Sequence, residues 1–420
     1  MTSNAILTDS PLSVPVRQAE SRSVHVLTLT PFFPSCEDEV NGCFVKEPLD
    51  FLRAEDVTSS VIAVSPIHHP RKNSTARAAA EWVRYPQIPG TMGLASAGRG
   101  LDMRLRLLVN DLHRRKPIDI IHAHAALPCG HAALLMAQRL KVPYVVTVHG
   151  LDVFNSCYLG GAGADWRRRT SVAVYESAAA VVCVSRKVRE ILCEGMPSGV
   201  RSSVVYNGTD AALFSPGPAS LREALSEDSN APRRELLIVG NLIASKGQEL
   251  VLRAMHRMSS AFPQLGCRIV GEGPDRARIE QLAVELGIGQ RVHFMGRRNR
   301  RDVAQAMQQC SLFVLASRNE GLGCVYLEAM ACAKPVIGCR GQGIEEIIKH
   351  GKNGWLVSGD DVDELADSIT ALLRSPELAS QIGLAARQTV LNGLTLSHQA
   401  HNLATLYRAA TVLGARDGAL

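Results

Sequence analysis

Short runs that are apolar throughout recur along this chain, each followed by a stretch with helical periodicity. In the first half they include 24-VHVLTLT-30, 60-SVIAVS-65, 118-IDIIHAH-124, 143-PYVVTVHG-150, 180-AVVCVS-185 and 202-SSVVYNG-208. A strand with one wet face alternates apolar and polar residues. Uninterrupted runs predict strands buried on both faces, hence a parallel sheet with helices on either side. Between the runs, 101-LDMRLRLLVNDLHRRK-116 predicts a helix. Its Leu101, Leu105, Leu108 and Leu112 share a stripe, and its basic end suits a helix C-terminus.

The rhythm then breaks. Residues 215–234, SPGPASLREALSEDSNAPRR, are polar and rich in Pro and Ser, which predicts an interdomain connection. It resumes with 235-ELLIVGNL-242, 266-GCRIVGEG-273, 291-RVHFMG-296, 311-SLFVLAS-317 and 335-PVIGC-339. Two βα series predict an α/β protein of two doubly wound, Rossmann-like parallel-sheet domains facing a cleft. The predicted division is a tail at 1–22, an acceptor-side domain at 23–214, the connection at 215–234, a second domain at 235–395, and a closing helix and tail at 396–420. That helix, 396-LSHQAHNLATLYRAATVL-413, has Leu403, Leu406, Ala409 and Ala410 to pack on either domain.

Composition narrows the function classes. With 420 residues and nearly half of them apolar, two sizeable cores are affordable. The net charge of +6 comes from interleaved acidic and basic residues, weakly attractive to anionic lipid or phosphate but no nucleic-acid footprint. No run of eighteen apolar residues predicts a membrane span, and residues 1–22 lack the pattern of a secretion signal. The eleven cysteines form no CxxC pair. Cys183, Cys267, Cys310 and Cys332 sit in apolar surroundings as small core residues, which points to a reduced, cytosolic compartment.

The segment 317-SRNEGLGCVYLEAMACAKPVIG-338 carries candidate chemistry. Its strand ends just before Glu320, two glycines make the turn, and Glu328 falls in the first turns of the following helix. A helix N-terminus beside glycines offers amides and a positive dipole end to phosphate or sugar hydroxyls. A carboxylate at each end can accept from two hydroxyl-bearing groups, as a nucleotide sugar requires. The plainer alternative makes Glu320 a solvated loop charge and Glu328 an exposed helix residue.

The Glu320-x7-Glu328 spacing, with Gly321, Leu322 and Gly323 inside it, resembles the signature of family 4 glycosyltransferases, retaining enzymes of the two-domain GT-B architecture. Further family features recur in order: 149-HGLD-152, 207-NGTD-210 with Phe214, 240-GNLIASKG-247 and 271-GEGP-274, within a resemblance from about Val24 to about Thr370. The stretches 41-NGCFVKE-47 and 122-HAHAALPCG-130 look most like bacterial exopolysaccharide or teichuronic-acid-type transferases. The resemblance implies that Lys246 meets the donor diphosphate, Glu320 lies against the transferred sugar, and Glu328 holds the ribose hydroxyls. It also implies that the amides of Leu322, Gly323 and Cys324 face sugar or phosphate, and that His149 hydrogen-bonds the sugar, with Asp152 to position it or cap a helix. Gly42 stands where the family has paired glycines near the diphosphate, Asn41 replacing one. Asn241 replaces the usual arginine after the glycine, so it must donate hydrogen bonds itself or leave the second charge to Arg318. The loop 295-MGRRNR-300 reads as an exposed basic loop whose arginine side chains have no role.

Other clusters read better as structure. His122 and His124 share a strand face, as metal ligands would, but no third ligand has suitable spacing. Asp361 and Asp363 imitate a DxD motif and read as helix-start charges. The Gly271-Glu272-Gly273 turn lacks the third glycine of a dinucleotide site. The activity that the resemblance implies is a retaining, metal-independent hexosyl transfer from a nucleoside diphosphate sugar as co-substrate, with no cofactor. The expected partners are that donor and a glycan acceptor, lipid-linked for an exopolysaccharide-type enzyme, and no nucleic acid. Arg104, Arg106, Arg114, Arg115, Lys116 and Arg167 to Arg169 raise peripheral contact with an anionic membrane, on its inner face. Two rivals stand: an epimerase or glycan phosphorylase of the same architecture, which would not release nucleotide only when acceptor is present, and a non-catalytic nucleotide-sugar-binding scaffold.

Overall fold

The computed structural model describes residues 23–35, 40–69, 80–88, 90, 93–150, 163–196, 199–217 and 234–417. The expected tail 1–22, most of the 215–234 connection and Asp152 lie outside the described residues. The chain divides into two units, Met1–Asn207 with Leu396–Leu420, and Gly208–Thr395. Each is taken by itself.

The first unit is built on strands β1 (Val24–Thr30), β2 (Val57–Pro66), β3 (Glu81–Tyr85), β4 (Ile120–His124), β5 (Tyr144–Val148), β6 (Ala180–Cys183) and β7 (Ser202–Val204). They form one sheet in the order β3-β2-β1-β4-β5-β6-β7. All pairs are parallel. Every residue of β1, β4, β5 and β6 is buried, as their unbroken apolar runs require. Helix Leu94–Arg115 turns Leu101, Leu105 and Val109 inward. The helix Leu396–Asp417 is last in sequence yet completes this unit's core. Its Ala400, Leu403, Ala404, Tyr407 and Ala410 pack with Val24, Val26, Ile120 and Val145.

The second unit carries β8 (Glu235–Val239), β9 (Gly266–Val270), β10 (Val292–Gly296), β11 (Leu312–Val314), β12 (Val336–Cys339) and β13 (Trp355–Val357), in the order β10-β9-β8-β11-β12-β13. It too is parallel. The expected boundary after residue 214 moves back to Asn207. Asp210 Oδ1 accepts from the amides of Ala212 and Leu213 at 2.9 and 3.1 Å, and this turn carries Phe214 into the second unit's core, fully buried.

In a parallel sheet all carboxyl ends share one edge, and ligands bind where the strand order reverses. In the second unit the reversal lies between β8 and β11. The loops that leave these two strands hold Lys246 and Glu320.

Candidate active site

The loop after β8 ends in a short 3₁₀ turn, Ala244–Lys246, followed by Gly247 at φ +68°. A Cβ at position 247 would lie 1.9 Å from the carbonyl oxygen of Ala316. Glycine alone lets the loop lie this close to the chain leaving β11. The Arg318 amide then donates to Ser245 O at 2.6 Å, and Lys246 Nζ pairs with Glu320 Oε2. Both side chains are mostly covered, 23% and 14% exposed. The Glu320 peptide is held from the other side as well: its amide donates to Gln342 Oε1 at 2.9 Å and its carbonyl accepts from Gly343 N at 3.2 Å. Gln342 was not singled out in the sequence; a lone glutamine 22 residues downstream gives no signal there.

Helix Cys324–Ala331 begins at Gly323, whose φ of +79° sets the turn, and no side chain caps it. Leu322, just before that glycine, is buried, and Cys324, the first helical residue, is half-buried. Glu328 is no exposed helix residue: it is 2% exposed. Its Oε1 pairs with the Arg300 guanidinium. Its Oε2 is buried and has no hydrogen-bond partner among the described residues. Here the reading of the basic loop is corrected. Arg297 and Arg298 are exposed as expected, but Arg300 opens helix Arg300–Gln309 with a side chain 14% exposed. Its guanidinium carbon stands 4.7 Å from the centroid of the Phe214 ring. The missed signal was the pairing of an arginine with a carboxylate that the apolar helix could not leave buried alone.

Asn241 is exposed, and its carbonyl accepts from Gln248 Nε2 at 2.9 Å. Arg318 Nε donates to Gly359 O at 3.1 Å, so this guanidinium is engaged away from the Lys246–Glu320 pair. Asp361 caps helix Val362–Arg374 by accepting from Glu364 N at 2.9 Å, and Asp363 pairs with Arg257 at 2.7 Å.

Gly42 and His149 belong to the first unit. Gly42 adopts φ +83° at the start of helix Cys43–Leu52. A Cβ there would meet the Phe32 carbonyl carbon and the Phe33 amide, both at 2.4 Å. His149 leaves the end of β5 half-buried. Phe44 lies 4.7 Å and Phe32 5.6 Å from it, ring to ring. His149 Nε2 meets His124 Nδ1 at 2.9 Å. His122 Nδ1 meets the Tyr407 hydroxyl at 2.7 Å and its Nε2 meets Thr147 Oγ1 at 2.6 Å. These histidines border a cavity of about 20 Å³, the size of a single water site. Burial pushes His122 and His149 down to about 3 and His124 well below its ordinary value. They are neutral hydrogen-bonding groups at pH 7.

With this geometry established, likeness to known proteins decides the family. Residues 45–213 match the model described as Glycosyltransferase Family 4, and residues 222–389 match Glycosyl transferases group 1. The chain is 32% identical over 312 residues to D-inositol 3-phosphate glycosyltransferase of Mycobacterium avium (strain 104), covering 70% of each. It belongs to glycosyltransferase family 4. Among solved structures, this family 4 chain is similar to sucrose-phosphate synthase from Thermosynechococcus elongatus, with TM-score 0.75, 22% identity, and 91% and 98% of the two chains covered. It is also similar to Anabaena HepE in complex with UDP and glucose, with TM-score 0.69, 20% identity, and 91% and 98% covered. The fold is GT-B, and this glycosyltransferase is an enzyme of the hexosyltransferase type.

Proposed function

We propose that this enzyme transfers a hexosyl unit, with retention of configuration and without a metal ion, from a nucleoside diphosphate sugar to a glycan acceptor. The observation that carries the reading is the contact of Lys246 with Glu320 at the strand reversal of the second sheet, beside a helix that hides an open carboxylate oxygen of Glu328. A diphosphate needs a cation and a helix mouth, a sugar needs a carboxylate, and a ribose diol needs a second carboxylate. All lie on the β8 and β11 connections. The likeness to HepE, solved with UDP and glucose, supports the same donor chemistry.

Glu320 holds Lys246. Donor binding exchanges that partner: the lysine turns to the diphosphate and Glu320 is released to the sugar hydroxyls. As the bond from the sugar carbon to the diphosphate breaks, negative charge grows on the phosphate oxygen, and Lys246 stabilises it with the amides at the helix mouth. The acceptor oxygen bonds to the same face of the sugar carbon, and its proton passes to the departing phosphate. His149 would hydrogen-bond the transferred sugar. With Lys246 supplying the charge, turnover is expected to persist in excess EDTA; full loss restored by Mg²⁺ would remove the metal-independent step. The reading as a whole is tested by a thermal-shift screen of nucleotide sugars followed by product analysis with a membrane extract. Donor hydrolysis without any glycosylated product would overturn it.

A lipid-linked acceptor in cell-surface or exopolysaccharide synthesis fits the surface of the first unit. Helix Leu94–Arg115 exposes Met103 and Leu107, 74% and 84%, beside exposed Arg104 and Arg106. Apolar residues flanked by arginines suit an anionic bilayer surface, each basic residue contributing about 1 kcal/mol there. Arg167, one of the expected basic contacts, is buried and takes no part, while Arg168 and Arg169 are exposed. Among the described residues no helix is long and apolar enough to cross a membrane. The chain should sediment with phosphatidylserine vesicles in dilute buffer and be released by Leu107→Glu with Met103→Glu. A wild-type chain that stays in the supernatant would end the membrane reading.

A further inference from the structure

We propose that Arg300 is a positioning residue for donor binding: it fixes Glu328 so that one carboxylate oxygen faces the vicinal diol of the donor ribose, and Phe214 is the platform that fixes Arg300. The proposal rests on the reading of Glu328 as a donor ligand and adds the residues that make it one.

A carboxylate 2% exposed carries a large desolvation cost unless something answers its charge. Arg300 answers one oxygen only. With Oε1 on the guanidinium and Oε2 buried with no hydrogen-bond partner among the described residues, the carboxylate keeps acceptor capacity pointed away from the arginine. A diol, with two donors on adjacent carbons, can use that capacity; an unliganded core gains nothing from leaving it open.

Arg300 is itself held on two sides. It is the first residue of its helix, and Asn299 fixes that start by accepting from the Asp302 amide at 2.9 Å. The guanidinium carbon then lies over the buried Phe214 ring. Stacking on an aromatic face suits the flat, delocalised arginine head better than a lysine ammonium. Phe214 in turn stands where it does because Asp210 turns the chain: its carbonyl accepts from the Phe214 amide at 2.8 Å. The family pattern around 207-NGTD-210 thereby acquires a physical purpose. It delivers an aromatic platform to an arginine that arrives 86 residues later.

The test measures nucleotide binding by calorimetry, with whichever of UDP, GDP, ADP or TDP raises the wild-type melting temperature. Arg300→Met is expected to weaken binding about tenfold to a hundredfold, the range for losing the partner that orients a ligand-holding side chain. Arg300→Lys restores charge to Glu328 and should recover most of that loss, and Phe214→Leu should fall between wild type and Arg300→Met. Glu328→Gln weakens binding by itself, and Arg300→Met added to it should cost nothing more, because the arginine acts through the carboxylate. The double variant carries neither buried charge, so it stays informative if Arg300→Met alone unfolds. Additive losses, or wild-type binding in Arg300→Met, overturn the role of Arg300. Undiminished binding in Glu328→Gln instead overturns the donor reading of Glu328, and a wild-type chain that binds none of the four nucleotides overturns the proposed function itself.

Discussion

Lys246→Ala is expected to lower kcat/KM for the donor by at least about a hundredfold to a thousandfold, the usual cost of one preorganised group that meets developing charge. The lysine lies at the strand reversal of the second sheet in contact with Glu320, and Asn241 stands where a second cation would be expected. With Arg318 tied to Gly359, no neighbouring arginine head takes over. Folding should survive, because truncating Lys246 opens Glu320, 14% exposed while paired, to water. Lys246→Arg should not rescue: the longer, planar head cannot occupy the space of a point charge that must leave Glu320 and reach phosphate. Glu320→Ala is expected to be severe as well. The double variant should be no worse than the more damaging single change, since the two side chains touch. Steady-state kinetics with matched melting curves check all four. A folded Lys246→Ala enzyme with undiminished turnover would remove the diphosphate from this pocket and leave it a binding role only.

Acid should weaken the first unit well before carboxylates titrate. His122 has a folded-state value of about 3 and an ordinary unfolded one near 6.5, and His124 is shifted the same way. Above about pH 6.5 both states hold these rings neutral and the stability is complete. As pH falls toward 3 the unfolded chain gains protons that the folded chain refuses, so stability drops by about 1.4 kcal/mol per pH unit for each ring. For His122 alone, one and a half units give about 2 kcal/mol, a sizeable part of the roughly 5–15 kcal/mol that holds a domain together, and His124 acts in the same direction. The groups facing them are the Thr147 and Tyr407 hydroxyls and the His149 ring. None is an acid that would keep an imidazolium in place. Urea midpoints at pH 7.5 and 5.5 should therefore differ strongly. His122→Phe should be less stable at the higher pH, having stranded two hydroxyls, but lose less on acidification. Equal losses in both proteins would mean that His122 is not the titrating group.

Most of the fold was legible because a strand buried on both faces leaves an unmistakable apolar run. Two strands left no such trace. In β3 only Val83 and Tyr85 are buried, as an edge position allows, and β13 has three residues. The Glu320–Lys246 pair was legible through spacing and resemblance, since each sits on a loop of recognisable composition. Arg300 was not. Its neighbours Arg297 and Arg298 are solvated, and nothing local separates the arginine that turns inward from the two that do not. The decision is made 28 residues later by Glu328 and 86 residues earlier by Phe214. The histidines illustrate the same limit from the other side. Their shared strand face was compatible with a metal pair that lacked a third ligand, and nothing local announced that the partner of His122 is a tyrosine 285 residues away.

The return of helix Leu396–Asp417 to the first sheet has a consequence for synthesis. Val24, Val26 and Ile120 emerge from the ribosome hundreds of residues before Ala400, Leu403 and Tyr407, which cover them. The second unit, Gly208–Thr395, is one continuous segment and can finish folding while its predecessor still waits for a lid. A nascent chain stalled at residue 395 would carry a bare apolar stripe and bind chaperones, and only the emergence of helix Leu396–Asp417 would let it go.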